Sequence, residues 1–493
     1  MERKTNVKVV TICVFIATFM TAIEGTIVTT AMPTIVGSLH GMEMMNWVFS
    51  IYLLTNAMLT PIYGKLADKV GRKPIFIFGT LLFIIGSLFC GLSQSMLGLI
   101  ISRAIQGMGA GAMMPVALTI IGDLYTIEKR AKVLGLNSSA WGIASVFGPL
   151  AGGFIVEALS WHWIFFINVP IGLLLMVLIW LYLNEPKTTR EAKPMDLKGS
   201  FSLMFTLVLL LLGFQLLGDQ GLTPFVLGLL IGSILFFFLF LFVEKRAEDP
   251  VIMLHLFKNP LFVVVNAAAA LASGFLMGID VYIPMWMQGV LGLNAAIGGL
   301  VLAPLSLVWM VGSFLASKWM TQMTTYRVLR IGLFITIIGG AGLWLMPFQS
   351  NFLWFFLIST IIGVGLGITM TTSTVSAQNS VPSEQMGVAT SFNTLVRTIG
   401  QTVMVAVFGL LINRVTQAEL AAKQLTDDPD IMNKLVNPQT AKMIDAEILT
   451  PLREILYHGL HQVYLVGLLL VIIALGLTFL TELGRSRPSS IGG

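Results

Sequence analysis

Charge is scarce in this chain. Of its 493 residues only 11% are Asp, Glu, Lys or Arg, while 56% are hydrophobic. Ordinary soluble domains carry about 25% charged residues, so a water-soluble globular protein is excluded. Cysteine is nearly absent, with Cys13 and Cys90 as the two copies. They fall at opposite ends of their apolar runs, too far apart for a disulfide, which needs Cα atoms within about 7 Å. The five histidines (His40, His162, His255, His458, His461) sit at the ends of apolar runs and show no metal-ligand spacing. They read as interfacial residues, and no metal is expected. A G-x-x-x-x-G-K-[ST] loop is missing, so nothing cradles a nucleotide phosphate. No cofactor is expected.

What the chain has in abundance is apolar blocks of about twenty residues, the length that crosses ~30 Å of hydrocarbon. Fourteen spans are predicted: 8–31, 46–67, 75–94, 96–118, 133–156, 162–183, 199–217, 223–243, 261–287, 295–316, 327–346, 352–375, 387–413 and 458–481. Backbone groups in lipid must be satisfied within their own segment, so each is a helix. The first run leads directly into others and lacks a small-residue cleavage site, so it reads as a span and not a removable leader. With the N-terminus inside, the short outer loops contain no Lys or Arg. One long outer loop, 414–457, contains five, Arg103 and Arg397 lie in spans, and the rest fall at the inner ends. That asymmetry predicts cytoplasmic termini in a plasma or inner membrane. The net charge of +5 reflects these inner loops, and nucleic acid is not an expected partner.

The two ends of the chain resemble each other. A shift of 256 residues lays Gly107, Gly109 and Gly111 over Gly363, Gly365 and Gly367, Glu128 over Glu384, and Asn137 over Asn393. The same shift sets Glu24 against Asp280, whereas Gly64 meets Gly312 at a shift of 248, which implies compensating gaps. The pattern predicts an all-α polytopic protein of two six-helix bundles, 1–183 and 261–481. A central segment, 184–260, carries an extra helix pair at 199–243, and a cytoplasmic tail follows at 482–493. Parallel repeats with a site at the midplane are a transporter architecture.

Five motifs sharpen this. Gly64-Lys65-Leu66-Ala67-Asp68-Lys69-Val70-Gly71-Arg72-Lys73 joins spans two and three, with glycine for close helix approach and an acid–base pair that can hold one conformation shut. Arg103-Ala-Ile-Gln106-Gly107-Met-Gly109-Ala-Gly111 marks span four, and Ala144-Ser-Val-Phe-Gly148-Pro149-Leu-Ala-Gly152-Gly153 marks span five. Small residues allow helices to pack closely in lipid. Span one carries Ile23-Glu24-Gly25-Thr26 through Pro33, and Trp161-His162-Trp163 leads through Asn168 to Gly172. Together these resemble the major facilitator superfamily, and within it the fourteen-helix drug:proton antiporters, with glutamate where that branch usually has aspartate in span one. The resemblance implies a secondary active exporter of the major facilitator fold, not an enzyme, moving lipophilic or cationic drugs against protons by alternating access. Efflux of this kind confers antibiotic resistance. Export of an endogenous lipid or metabolite is the alternative on the same fold, and a membrane-embedded enzyme or receptor is a third reading.

At 1.5 Å per residue, Glu24, Arg103 and Asp280 all fall roughly 10 Å below the outer surface. Intramembrane charges are expensive and point to function. Glu24, Asp280 and Arg103 are therefore the proton-coupling candidates, against a permanent structural Glu24–Arg103 pair and a wetted Asp280. Gly64, Asp68, Gly71 and Arg72 form the conformational-switch loop, and Gly148, Pro149, Gly152 and Gly153 the antiporter motif. Met113, Met114, Trp286, Trp309, Gln378, Asn379, Asn393 and Arg397 are candidate substrate residues, with methionines supplying an adaptable apolar surface; core packing is the alternative for each. The expected partners are a small lipophilic substrate, protons and the bilayer, with the chain a monomer. Asn437-Pro438 is a helix start, so loop 414–457 reads as a helical hairpin over the outer mouth or as a spacer.

Overall fold

The computed structural model describes residues 5–39, 45–185, 196–248, 250–293, 295–423, 431–436 and 441–485. Asn437 and Pro438 lie outside the described residues. Among those described there is no strand, and fourteen helices run fifteen residues or longer. They are α1 Val7–Leu39, α2 Met45–Val70, α3 Arg72–Gly91, α4 Met96–Leu124, α5 Ile127–Ala158, α6 Asn168–Tyr182 and α7 Leu197–Gln220. The second seven are α8 Pro224–Glu244, α9 Pro260–Met285, α10 Ala303–Met320, α11 Thr325–Trp344, α12 Leu353–Asn379, α13 Met386–Lys423 and α14 Ala446–Arg485. Among the described residues, 11 helical segments are long and apolar enough to cross a membrane. α2, α5 and α10 fall outside that group. α2 ends in Lys65, Asp68 and Lys69, and α5 begins with Glu128, Lys129, Arg130 and Lys132.

Three predicted spans depart from a single straight helix, and the one at 162–183 opens with a short helix, Trp163–Phe166, set off from α6 at Ile167. α9 contains Pro284 and passes into a π-helical turn, Trp286–Val290, where a ring without an N–H has already disturbed the ladder. The span predicted at 295–316 is broken: Ala295–Leu300 forms a short helix before α10 starts, with Pro304 in its first turn. α13 also continues past the predicted end at residue 413 to Lys423. Its 38 residues give roughly 57 Å, well beyond the hydrocarbon thickness.

The chain packs as two compact units. One comprises Met1–Gly213, Pro224–Val263 and Thr374–Leu395; the other comprises Phe214–Thr223, Val264–Ser373 and Val396–Gly493. Inside the first, α4 is the central helix, and its glycines let neighbouring backbones approach. A Cβ on Gly107 would strike the carbonyl of Tyr52 on α2, one on Gly111 that of Asn56, and one on Gly109 the backbone of Phe83 on α3. The second unit repeats the arrangement. Gly363 and Gly367 on α12 meet the carbonyls of Leu305 and Trp309 on α10, and Gly365 meets Thr336 on α11. The glycine register read from the sequence is thus a register of equivalent helix crossings. α8 is the opposite case: Phe225, Ile234, Leu235, Phe238 and Phe242 are exposed, and Val226, Ser233, Phe240 and Glu244 are buried. It is apolar all round and turns most of its surface outward, as a lipid-facing helix does.

Residues 431–436 and 441–456 are largely helical. Leu435, Leu452, Ile455 and Leu456 are buried, and Gly289 of the π turn lies against Leu456. The described parts of segment 414–457 therefore pack as an ordered element on the second unit.

Candidate functional site

Glu24 sits in the middle of α1 and is completely buried. Its Oε1 is 2.6 Å from Arg103 Nη1 on α4, and its Oε2 accepts a hydrogen bond of 2.8 Å from Asn168 Nδ2 at the start of α6. Arg103 Nη1 also donates to Gln106 Oε1 at 2.7 Å, and Arg103 Nε donates to the Val48 carbonyl at 3.1 Å. The guanidinium lies 4.2 Å from the ring centre of Tyr52. Gln106 Nε2 and Asn168 Nδ2 both donate to Ser87 Oγ, at 2.6 and 3.2 Å. Five helices thus converge on one carboxylate. A buried ion pair persists only where hydrogen bonds satisfy its remaining polar atoms, and here both Glu24 oxygens and two Arg103 nitrogens are engaged. Such a group can hold a charge within a span, and it can exchange partners when a proton is added.

The glycine-rich motif of α5 lies against the same stretch of α1. Thr26 Oγ1 donates to the Ala144 carbonyl at 3.1 Å, and a Cβ on Gly148 would overlap Thr26. Gly152 is buried in α5, and Pro149 and Gly153 belong to that helix.

A second cluster surrounds the loop motif. Asp68 Oδ1 is 2.8 Å from Arg72 Nη2, and its two oxygens accept from the backbone N–H groups of Gly387 (3.0 Å) and Val388 (2.8 Å). These are first-turn amides of α13, so Asp68 caps that helix from α2, where the helix dipole favours an anion. Arg72 reaches Asp123 at 2.9 Å and donates to the Ala67 and Ser383 carbonyls, each at 3.2 Å. Gly64 faces Gly387 and Ser391 so closely that a Cβ would overlap both. Arg130 adds a parallel tie, donating to Asn379 Oδ1 at 2.9 Å and the Gly122 carbonyl at 2.6 Å. Gly71 has φ +113, in the region that favours glycine, and a Cβ there would strike Glu185. Glu185 accepts from the N–H groups of Arg72 (2.8 Å) and Lys73 (3.2 Å), capping α3. Burial pushes the Glu185 carboxyl above the usual range, against the pull of those two amides and of the Arg72 guanidinium.

The remaining candidates are scattered. Asp280 on α9 is exposed and makes no ion pair among the described residues, and the same holds for the half-exposed Arg397 on α13. Gln378 is buried and donates to the Leu118 carbonyl (3.3 Å) and Thr390 Oγ1 (3.2 Å), while Asn393 Oδ1 accepts from Thr374. Met113 is buried, and Met114 and Trp309 are half-buried. Trp286 is fully buried, packed among Phe355, Tyr457, His461 and Tyr464 with ring centres 5.3 to 5.8 Å away.

Comparison with known proteins agrees with this geometry. The profile of the Major Facilitator Superfamily matches residues 14–405. The chain belongs to the major facilitator superfamily. It is 33% identical to the multidrug transporter protein MdtP of Bacillus subtilis (strain 168), over 94% of this chain and 90% of that one. It is also 33% identical to multidrug resistance protein 3 of the same organism, over 96% and 94%. Among solved structures it resembles the human organic anion transporter MFSD10 (TETRAN) with a TM-score of 0.62 at 13% identity, covering 94% of this chain and 99% of that chain. That last likeness is one of fold. As a major facilitator, the chain is a multi-pass membrane transporter and not an enzyme.

Within this major facilitator, four residues around Glu24 had no assigned role in the sequence: Tyr52, Ser87, Gln106 and Asn168. Gln106 and Asn168 lie inside quoted motifs, yet a motif does not say which side chain faces a carboxylate. Ser87 and Tyr52 carry no signal. Glu185, Asp123 and Arg130 likewise had no assigned role in the sequence.

Proposed function

We propose that this protein exports lipophilic or cationic small molecules from the cell by proton antiport. The observation that carries the reading is the buried Glu24 carboxylate, held between Arg103 and Asn168 inside a membrane span. Intramembrane acids of this kind mark proton relays. The names of the relatives, a multidrug transporter and a multidrug resistance protein, support the substrate class. On this reading protonation of Glu24 frees Arg103 from its ion pair, and the pair re-forms when the proton leaves. Asp280, without a paired cation among the described residues, serves coupling or recognition of positively charged substrates.

The loop cluster is the switch of alternating access. Asp68 and Arg72 hold the first turn of α13 and the Ser383 carbonyl, so opening at that end must break them. This end is cytoplasmic, as are both termini of a monomer with fourteen spans in the cell membrane. Two six-helix bundles, 1–183 and 261–481, flank the extra pair. The energy source is the proton gradient, since one charge crossing the potential supplies ~2.3 kcal/mol per 100 mV. Efflux of a fluorescent lipophilic cation from cells is expected to stop when an uncoupler collapses the gradient at constant ATP. Undiminished uphill efflux without any ion gradient would eliminate the antiport mechanism.

A further inference from the structure

The α7–α8 hairpin has two linker ends, and an acid sits at each. Asp196 caps α7: its Oδ1 accepts from the Gly199 N–H at 2.8 Å, and its carbonyl accepts from the N–H and hydroxyl of Ser200. Glu244 is the last residue of α8 and is 3% exposed. Its Oε1 accepts from the Ile252 N–H at 2.6 Å. Each carboxyl therefore has one oxygen satisfied by backbone. The other oxygens, Asp196 Oδ2 and Glu244 Oε2, are both buried without a hydrogen-bond partner. A Cβ placed on Gly199 would fall against both of these oxygens, so the two orphan acceptors converge on one point. A side chain at position 199 would fill that point; glycine leaves it open.

Two acceptors cannot satisfy each other, and two ionised carboxylates sharing a buried site repel. Leaving them unpaired costs more than a hydrogen bond is worth. One proton between them resolves both problems. We propose that Asp196 and Glu244 share a single proton, forming a protonation site separate from Glu24 that clasps the two linker ends of the α7–α8 hairpin together. Glu244 carries the proton and donates from Oε2 to Asp196 Oδ2. Asp196 lies at a helix N-terminus, where the dipole favours the anion, and Glu244 at a helix C-terminus, where it favours the neutral acid. Among the described residues, the charged group facing the pair from another helix is Lys65 of α2, itself buried. With one proton these three side chains together are close to neutral; without it they hold an excess negative charge. Alkaline conditions strong enough to remove the proton therefore separate the hairpin ends.

Infrared spectroscopy of the purified full-length protein tests this through the C=O stretch of protonated carboxyls at neutral pH. Glu244→Gln keeps a donor toward Asp196 but removes the proton. Asp196→Asn gives Glu244 an amide donor and lets it ionise. A protonated-carboxyl band present in the wild type is expected to vanish in both variants and to persist in Glu24→Gln. Thermal stability of the wild type is expected to fall at alkaline pH, and Glu244→Gln to lose that dependence. Because both substitutions remove the same band, either one alone suffices if the other fails to fold. A band unchanged by the substitutions in folded protein overturns the proposal. So does a loss of stability at neutral pH on removal of sodium ions, which would mean that the two carboxylates hold a cation instead of a proton.

Discussion

Arg103→Ala is the perturbation whose cost the structure defines most sharply. Arg103 and Glu24 have side chains 1% and 0% exposed and stand 2.6 Å apart. Deleting the cation leaves a buried carboxylate with Asn168 as its remaining partner, and removing one member of a buried pair costs about 3–5 kcal/mol. The Val48 carbonyl and Gln106 Oε1 each lose a donor as well, a smaller loss because the carbonyl keeps its place in the α2 ladder and Gln106 Oε1 keeps Cys90 Sγ at 3.9 Å. Set against a total stability of about 5–15 kcal/mol, this is a large loss. Most of it arises from a stranded charge, so neutralising the partner restores part of it. The Glu24→Gln/Arg103→Ala protein is therefore expected to be more stable than Arg103→Ala alone, with a coupling energy of about 3 kcal/mol between the two sites. Thermal unfolding of the four proteins in detergent, followed by tryptophan fluorescence, measures it. Strictly additive losses would refute the reasoning, because they would mean that the two side chains do not depend on each other.

Glu185→Ala removes the acceptor for two α3 amides and is expected to cost about 1 kcal/mol, the usual value of a helix cap. Its pH dependence has a defined sign. Burial raises the carboxyl above its ordinary range, so its stabilisation is complete below the unfolded pKa and is lost as pH rises through the folded one. Glu185→Gln is therefore expected to gain stability relative to the wild type as pH rises toward neutrality, and a constant difference in thermal midpoint would contradict the assignment. For topology, single cysteines introduced in 187–198 are expected to label from the cytoplasmic side alone, and those in 420–445 from outside alone; labelling of both from one face would refute fourteen spans.

The helices were legible in the sequence because lipid allows one local solution, an apolar run that satisfies its own backbone. The glycine triplets were legible as well, since each marks a place where two backbones meet, and the structure puts Gly107 and Gly363 at equivalent crossings. Counting rise per residue put Glu24 and Arg103 at one depth, and they form an ion pair. Rotation about a helix axis is what counting cannot supply. Asn168 could be assigned to a motif but not to a carboxylate oxygen, and Ser87 had no distinguishing neighbour. The Asp68 cap on Gly387 and Val388 joins residues more than 300 positions apart, through backbone amides that no residue pattern identifies. Pro284 was visible, but not the π turn that follows it or the four rings among which Trp286 packs.

Proton coupling through Glu24 is tested most directly by reconstituting the wild type and Glu24→Gln into proteoliposomes with an imposed pH gradient. Uptake and binding of a fluorescent lipophilic cation are measured in both. The glutamine keeps an acceptor for Arg103 and removes the titrating group. Gradient-driven transport is expected to disappear in Glu24→Gln while binding of the probe persists. Wild-type rates of proton-driven transport in a folded Glu24→Gln protein would contradict the assignment of Glu24 as the proton carrier.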